Sequence, residues 1–389
     1  MSLYQAARNV YVTSGSYLTT PDRDDVTNLF KNVRHTRATV AALQADTSIS
    51  QTAGAADYVA DGDPVYGGPF RYLADSTAAD PAITTDGGLK LTADPLDIMV
   101  VVDQFGAKGD GVTDDADAIQ KALDFAAARG VGIVWLSAKV YALGKRISIP
   151  EGVTLRGPVD GMETRLASAT LKMLGTMAAE TLGTGSAIVG VLIEDKKGVG
   201  LIGVQVDMSN APANAYGIIS AGMWRSIFQS VAIMGLSQDT HVGVLVCIKE
   251  IGWFWNQWTL VRSGGSAGIP FQITSSKPFG GVATGQPNQT FFCNCRASGG
   301  PIGWDINGVG AGMVFMNCQA EDGDEFQDPP TNSVLGIGMK VRGANPIAKP
   351  IWFGGEINGY GSGIDGEVSV VVPPVLDGAP VANDARYLN

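Results

Sequence analysis

The sequence predicts an all-β chain wound as a parallel β-solenoid, and three observations carry that prediction. Gly accounts for 51 of 389 residues, against a usual share near ~7%. Charged residues are only 17%, where about 25% is usual. Surface helices need Lys and Glu on their exposed faces, so this composition excludes a helical bundle and fits a turn-rich β chain. The third observation is an internal repeat. From about residue 186 to 358, Gly-plus-apolar starts recur at Gly190, Gly217, Gly243, Gly268, Gly303 and Gly338, at spacings of 27, 26, 25, 35 and 35. In the last five units a Phe follows: Phe228, Phe254, Phe292, Phe315 and Phe353. Two residues beyond each come Ser230, Asn256, Asn294, Asn317 and Gly355. A unit of this size holds several short strands, and stacking like on like builds a solenoid. Phe over Phe and Asn over Asn then form ladders, and stacked Asn amides hydrogen-bond along the axis.

The elements follow in chain order. Within residues 1–50, Val26, Leu29, Val33, Thr36, Val40, Leu43 and Thr47 alternate in steps of 3 and 4. That is a heptad seam, and it predicts an amphipathic helix of ~25 residues that either packs on a domain or forms a short coiled coil. Pro21, Asp22, Asp24 and Asp25 are its start signals. His35 lies off the seam. Residues 51–98 are rich in Ala, Gly, Asp, Thr and Pro, which reads as an adaptor or linker of loops and short strands. Residues 99–157 read strand, glycine loop, helix, strand. A capping helix is expected at about 114–129, with Thr113 as its cap, Asp114 and Asp115 at its positive end, and Ile119, Ala122, Leu123 and Ala126 on one face. Gly130 stops it. The glycines 106, 109 and 111 lack phosphate-loop spacing, and two acids beside them repel phosphate.

The residues flanking each Phe are also largely apolar: Ile227 and Gln229, Trp253 and Trp255, Phe291 and Cys293, Val314 and Met316, and Trp352 and Gly354. Alternation turns them away from the Phe column. A strand apolar on both faces is covered on both, by a subunit, a loop or a ligand. A closed cyclic oligomer buries such a strip and the heptad seam about one axis.

Charge narrows the partners. The net charge is −11 with pI about 4.7, which disfavours nucleic acid and anionic membranes. No apolar run reaches the ~18 residues of a membrane span. No signal peptide is visible at the N-terminus. The four Cys, Cys247, Cys293, Cys295 and Cys318, form no CxxC pair and read as packing residues, with no disulfide framework. With only His35 and His241 present, a His-based metal site is not expected, and no cofactor is expected either.

The segments DQFGAKGDGVTDDADAIQKAL and GVGIVWLSAKVYAL, preceded by GGPFRYLADSTAADPAITTDGG, resemble the start of the pectate-lyase-like right-handed β-helix superfamily, in particular its bacteriophage tailspike and depolymerase branch. The resemblance implies three domains: an N-terminal helical anchor or stalk at 1–50, an adaptor at 51–98, and a right-handed parallel β-helix at 99–389. It implies a homotrimer located on the virion and attached to other tail or head proteins through the N-terminus. Host cell-surface polysaccharide is the implied ligand, depolymerised by glycosidic hydrolysis. The alternatives are a non-catalytic adhesin or structural spike, and a cellular polysaccharide lyase or epimerase.

Candidate site residues follow from that chemistry. Carboxylates one or two strands apart on a solenoid stand about 5 or about 10 Å apart, which brackets the paired acids of glycosidases. The densest acidic run is EDGDEFQD. From it Glu321 and Asp322, together with Asp305 earlier in the coil and Glu356 in the next, are the catalytic candidates. A solvated acidic loop is the first alternative and a calcium site the second, although the run lacks EF-hand spacing. Trp253, Trp255 and Trp258 are candidates for stacking on sugar rings, against core or interface packing. The insertion at 275–289 is polar and Gly-rich, as recognition loops are. His241 and Asp239 stand two residues apart in a turn, which is ordinary spacing, so no hydrolase triad is read from them.

Overall fold

The computed structural model describes residues 35–47, 58–60, 70–74, 78–93, 100–158, 169–281, 286–308, 312–321, 337–342, 350–358, 362–365, 369–372, 375–376 and 379–380. Two compact units emerge, Met1–Ile98 with Gln104–Gly106, and Met99–Asp103 with Ala107–Asn389.

In the first unit five short strands form one sheet, in the order His35–Arg37, Tyr58–Ala60, Phe70–Ala74, Lys90–Ala93 and Ile83–Thr84. The heptad reading is corrected within the described residues. His35–Arg37 pairs as a strand with Tyr58–Ala60, and the helix is only Val40–Gln44. Thr39 is extended at φ −143°, and its side chain accepts the Ala42 N–H. A capping Thr starts a helix, and this one interrupts the seam. Val26, Leu29 and Val33 lie outside the described residues. The segment read as a linker has its own buried residues, Tyr72, Ile83, Leu89 and Leu91, and Leu43 of the preceding helix is buried too. The Tyr72 hydroxyl donates to the Gln104 carbonyl at 2.7 Å, and the Gln104 amide donates to the Arg71 carbonyl at 3.0 Å.

The second unit is a parallel β-helix. Each coil presents a first strand, a corner, a second strand, a bend and a third strand. The first strands stack as one sheet from Ile147–Ser148 through Gly185–Lys197, Ala215–Trp224, Val242–Cys247, Ile269–Thr274, Ile302–Asn307 and Ile337–Arg342 to Ser362–Asp365. Second and third strands join in a nineteen-stranded sheet. Both turns need a left-handed residue. The corner residues are Gly198, Arg225, Trp255, Gln289 and Gly312, with φ of 63°, 52°, 54°, 46° and 78°. The bend residues are Gly203, Ser230, Leu260, Asn294, Asn317 and Gly354, with φ between 50° and 65°. Asn tolerates this conformation better than most residues, because its short amide bonds locally. Asn317 Nδ2 donates to Asn294 Oδ1 at 2.6 Å.

Register settles the ladders. The inner column runs Leu201, Phe228, Trp258, Phe292, Phe315, Trp352. Phe228 and Trp258 stack at 3.8 Å and 4°, and Phe292 and Phe315 at 4.9 Å and 4°. Trp258 and Trp352 therefore take the places expected for Phe254 and Phe353. Phe254 pairs with Trp224 at the corner, and Phe353 is 43% exposed. The Asn column shifts with them. Asn256 precedes the second strand, where its Oδ1 accepts the Ser226 N–H and its Nδ2 donates to the Met223 carbonyl. Gly355 follows the bend residue Gly354. Pro270 stands in register with Gly243 and Gly303, while Gly268 sits in the preceding turn with φ 78°. At Gly217 the added Cβ of any other residue would meet Ile233 at 2.7 Å and the Gly243 carbonyl at 2.8 Å, so the inward column has no room for a side chain there.

The capping helix is Ala116–Arg129, with Ile119, Ala122, Leu123 and Ala126 buried and Gly130 left-handed at φ 68°. Its N-cap residue is Asp115 and not Thr113. Thr113 donates to Asp110 Oδ2, while Asp114 Oδ1 accepts the Ala116 N–H. No helix among the described residues is long and apolar enough to cross a membrane.

Candidate functional site

The outer face of the first sheet carries the site. Alternation aims one column outward through Leu192, Ile219, Leu245, Gln272, Asp305, Lys340 and Asp365. A second outward column runs Glu194, Ala221, Cys247, Thr274, Asn307, Arg342. Both columns change from mostly apolar to polar along the axis. The apolar end is covered. Leu182 from the hairpin strand Glu180–Leu182 and Phe279 from the loop after Ile269–Thr274 pack with Leu192, Ile219, Val242, Leu245 and Cys247. The Thr184 N–H donates to the Phe279 carbonyl at 3.0 Å, and Tyr216 meets the Phe279 ring edge-on at 6.4 Å. Within 275–281 the insertion read as a recognition loop is thus a cover for apolar surface. Residues 282–285 lie outside the described ones.

Where this cover ends, the polar end opens as a cleft of about 150 Å³, lined by Tyr216, Leu245, Gln272, Thr274, Ser276, Pro278, Asp305, Asn307 and Arg342. Asp305 is 3% exposed. It forms an ion pair with Arg342 and accepts a hydrogen bond from Gln272 Nε2 at 3.3 Å. The Thr274 and Ser276 hydroxyls are 2.9 Å apart. Burial raises the Tyr216 phenol above its ordinary pKa, so it stays a neutral donor and acceptor. A cleft of hydroxyl, amide, carboxylate and guanidinium groups over an apolar floor suits a polyhydroxylated ligand.

The other predicted acids lie elsewhere. Glu321 sits on a third strand, Gln319–Glu321, and is ion-paired with Arg296. Glu356 is in register with Gln319 and not with Glu321, which faces Asn358. Asp305 belongs to a different sheet, so the first-sheet cleft does not include these two. Asp322 lies outside the described residues. Sequence reasoning missed Asp365, which shares the column of Asp305 two strands on. Stacking register was the missing signal, because the insertions between these coils hide the spacing.

The tryptophans divide. Trp258 is fully buried in the aromatic ladder, and Trp253 is buried with its Nε1 donating to Ser220 Oγ at 2.8 Å. Neither can stack on a sugar. Trp255 is 51% exposed. Its ring meets Trp224 edge-on at 6.0 Å, and Arg225 lies over it at 5.4 Å.

Other titratable groups have structural work. His241 is buried; its Nε2 hydrogen-bonds the Pro212 carbonyl at 2.9 Å and its Nδ1 faces the Ser237 N–H, so it makes no pair with Asp239. Burial lowers its pKa. Asp115 accepts the Lys108 and Gly109 N–H groups, consuming the donors a phosphate would need. Asp110 accepts from Thr113 and Val112, which holds its carboxyl near 2. Asp103 binds Ser137, Lys139 and Tyr141. Among the described residues, no group of three or more His, Cys, Asp or Glu could hold a metal ion.

Comparison with known proteins matches residues 99–325 to the family model Rhamnogalacturonase A/epimerase, pectate lyase-like. A capsule K30/K69-specific depolymerase of Klebsiella phage K5-2 is 42% identical over 84 residues, covering 21% of this chain and 10% of that protein. The chain thus spans about a tenth of that relative's length. Among solved structures, the tailspike gp42 of Acinetobacter phage vb_AbaP_AS12 aligns with a TM-score of 0.59 at 16% identity, over 91% of this chain and 60% of the other. The tailspike gp49 of Acinetobacter baumannii bacteriophage Fri1, a capsular polysaccharide depolymerase, aligns with a TM-score of 0.53 at 12% identity, over 89% of this chain and 62% of the other. At these identities both likenesses concern the fold.

Proposed function

Because the chain belongs to the pectate lyase-like rhamnogalacturonase A/epimerase family, we propose that it is a trimeric phage spike that binds host-surface polysaccharide and cleaves it by hydrolysis. The observation that carries this reading is the polar cleft around the buried Asp305. A solenoid offers an extended surface to a long ligand, and this cleft is where the outer face of the first sheet turns from covered apolar surface to open hydrogen-bonding groups. Hydrolysis of a glycosidic bond needs two carboxyl groups. Asp305 and Asp365 share one outward column with Lys340 between them. Strands two coils apart are about 10 Å apart, near the upper end of the roughly 6.5–9.5 Å that separates the acids of inverting glycosidases. The N-terminal unit then serves attachment to the virion.

A non-catalytic adhesin is the second reading, and the Asp305–Arg342 ion pair favours it, since a carboxylate held by a guanidinium is also a good sugar-hydroxyl acceptor. The two readings separate on capsular polysaccharides immobilised and in solution. The hydrolase releases new reducing ends, and Asp305→Asn lowers that release by about 100-fold or more while the chain still retains the polymer. Retention with no reducing ends from the unaltered chain leaves the adhesin. A product absorbing in the ultraviolet identifies a lyase and overturns hydrolysis.

A further inference from the structure

We propose that the corner ridge made by Trp224, Phe254 and Trp255, with Arg225 and Lys197, is a binding site for an anionic sugar residue, separate from the Asp305 cleft. The proposal rests on the polysaccharide-binding reading above and adds the charge class of the sugar.

The ridge is built by register. Lys197, Trp224 and Phe254 stack as one column on successive coils. Gly198, Arg225 and Trp255 form the next, each left-handed. Glycine serves this corner at positions 198 and 312. A bulky side chain there costs of order 1 kcal/mol or more in backbone strain. Three successive coils carry that strain, at Arg225, Trp255 and Gln289, and all three side chains are exposed; the first two adjoin the aromatic column. Trp255 remains 51% exposed, so burial does not compensate. Strained, exposed and large residues in register indicate selection for what the surface contacts.

The contacts specify a ligand. Trp224 meets Phe254 edge-on at 5.4 Å and Trp255 at 6.0 Å, giving a continuous aromatic surface. Trp224 itself is fixed by its Nε1–H donating to the Ile251 carbonyl at 2.5 Å. Aromatic faces stack on the C–H faces of sugars. Arg225 lies over Trp255 at 5.4 Å, and Lys197 over Trp224 at 5.3 Å. Neither cation has a carboxylate partner among the described residues. A guanidinium over a ring keeps its in-plane N–H donors free for bidentate capture of a carboxylate. In a chain of net charge −11, two such cations on one aromatic surface bring together donors for one carboxylate. An aromatic platform rimmed by open cations fits a uronate-type or otherwise carboxylated sugar.

The test uses the full chain on an array of bacterial capsular polysaccharides. Uronate-bearing polymers are spotted both native and carboxyl-reduced, beside neutral ones. Native acidic polymer is expected to bind, and carboxyl reduction to weaken it at least tenfold. Trp255→Gly and Arg225→Gly each weaken it at least tenfold. Because glycine suits the corner, both variants keep or raise the melting temperature, and their native mass is unchanged. Equal binding of native and reduced polymer overturns the anionic class and leaves the polysaccharide reading standing. Binding that survives both variants overturns the site. A fall in native mass in either variant makes the ridge a subunit contact and overturns the proposal. Retention of no polymer at all overturns the polysaccharide reading itself.

Discussion

At the scale of the residue, the inner aromatic ladder separates shape from polarity. Trp258 lies flat against Phe228 at 3.8 Å, and its buried Nε1 has no hydrogen-bond partner among the described residues. The indole therefore contributes area and stacking and no hydrogen bond. Replacing it by Phe, the residue its own column carries at 228, 292 and 315, is expected to cost under about 1.5 kcal/mol. Trp258→Ala leaves a cavity between Phe228 and Phe292 and is expected to cost about 3–5 kcal/mol. Denaturant melts of both variants check this. Equal losses would show that the indole N–H, and not the ring, is what the column needs. Trp253 is the contrast, since its Nε1 is bonded to Ser220 Oγ. The sequence alone placed both residues with Trp255 because they are close along the chain. It could not show that alternation and the left-handed corner send 253 and 258 inward and 255 outward.

At the scale of the element, the loop after Ile269–Thr274 stabilises a face that would otherwise be exposed. Phe279 closes a cluster containing Leu192, Ile219, Leu245 and Cys247, and burial pushes the Cys247 thiol up to about 12. A buried neutral thiol is inert. Phe279→Ala is expected to destabilise by about 3–5 kcal/mol and to make Cys247 react with a thiol reagent under native conditions. Continued protection of Cys247 would show that the hairpin strand Glu180–Leu182 suffices as cover. The capping helix and its Gly130 stop were legible, because a 3.6-residue stripe and a left-handed glycine are local signals. Solenoid character was legible from repeat spacing. The ladder membership was not, because register depends on where each corner and bend falls, and insertions such as 275–289 shift the count. The same reason hid Asp365 from the sequence and separated Asp305 from Glu321. The heptad seam misled differently. Thr36 and Val40 fit its spacing, yet the first lies in a strand and the second opens a short helix that Thr39 caps.

At the scale of the whole molecule, the apolar outer face of the second strands is the strongest argument for self-association. Its composition was legible, and its membership needed the same correction. Register places Gln257 and Thr259 outward where Trp253 and Trp255 were expected, and Ile351 and Phe353 where Trp352 was. The outward rows then read Ile227, Gln257, Phe291, Val314, Ile351 and Gln229, Thr259, Cys293, Met316, Phe353. Ile227 is 45% and Phe353 43% exposed. Nothing like the Phe279 loop covers these rows among the described residues, and their apolar part, Phe291, Cys293, Val314, Met316, Ile351 and Phe353, is a contact surface. Cys293 sits within it and is half-buried in the single chain, whereas Cys247, Cys295 and Cys318 are buried. This makes Cys293 a reporter. Light scattering is expected to give the mass of three copies of the 40.5 kDa chain, with no native thiol labelled at protein concentrations where that mass holds. Diluting until the mass falls to one copy should expose one reactive thiol per chain, identified as Cys293 by peptide mapping. If the assembly labels at Cys293 as fast as the dissociated chain does, the contact lies on another face. A monomer at every concentration would leave the strip without a partner and remove the argument for a trimeric spike.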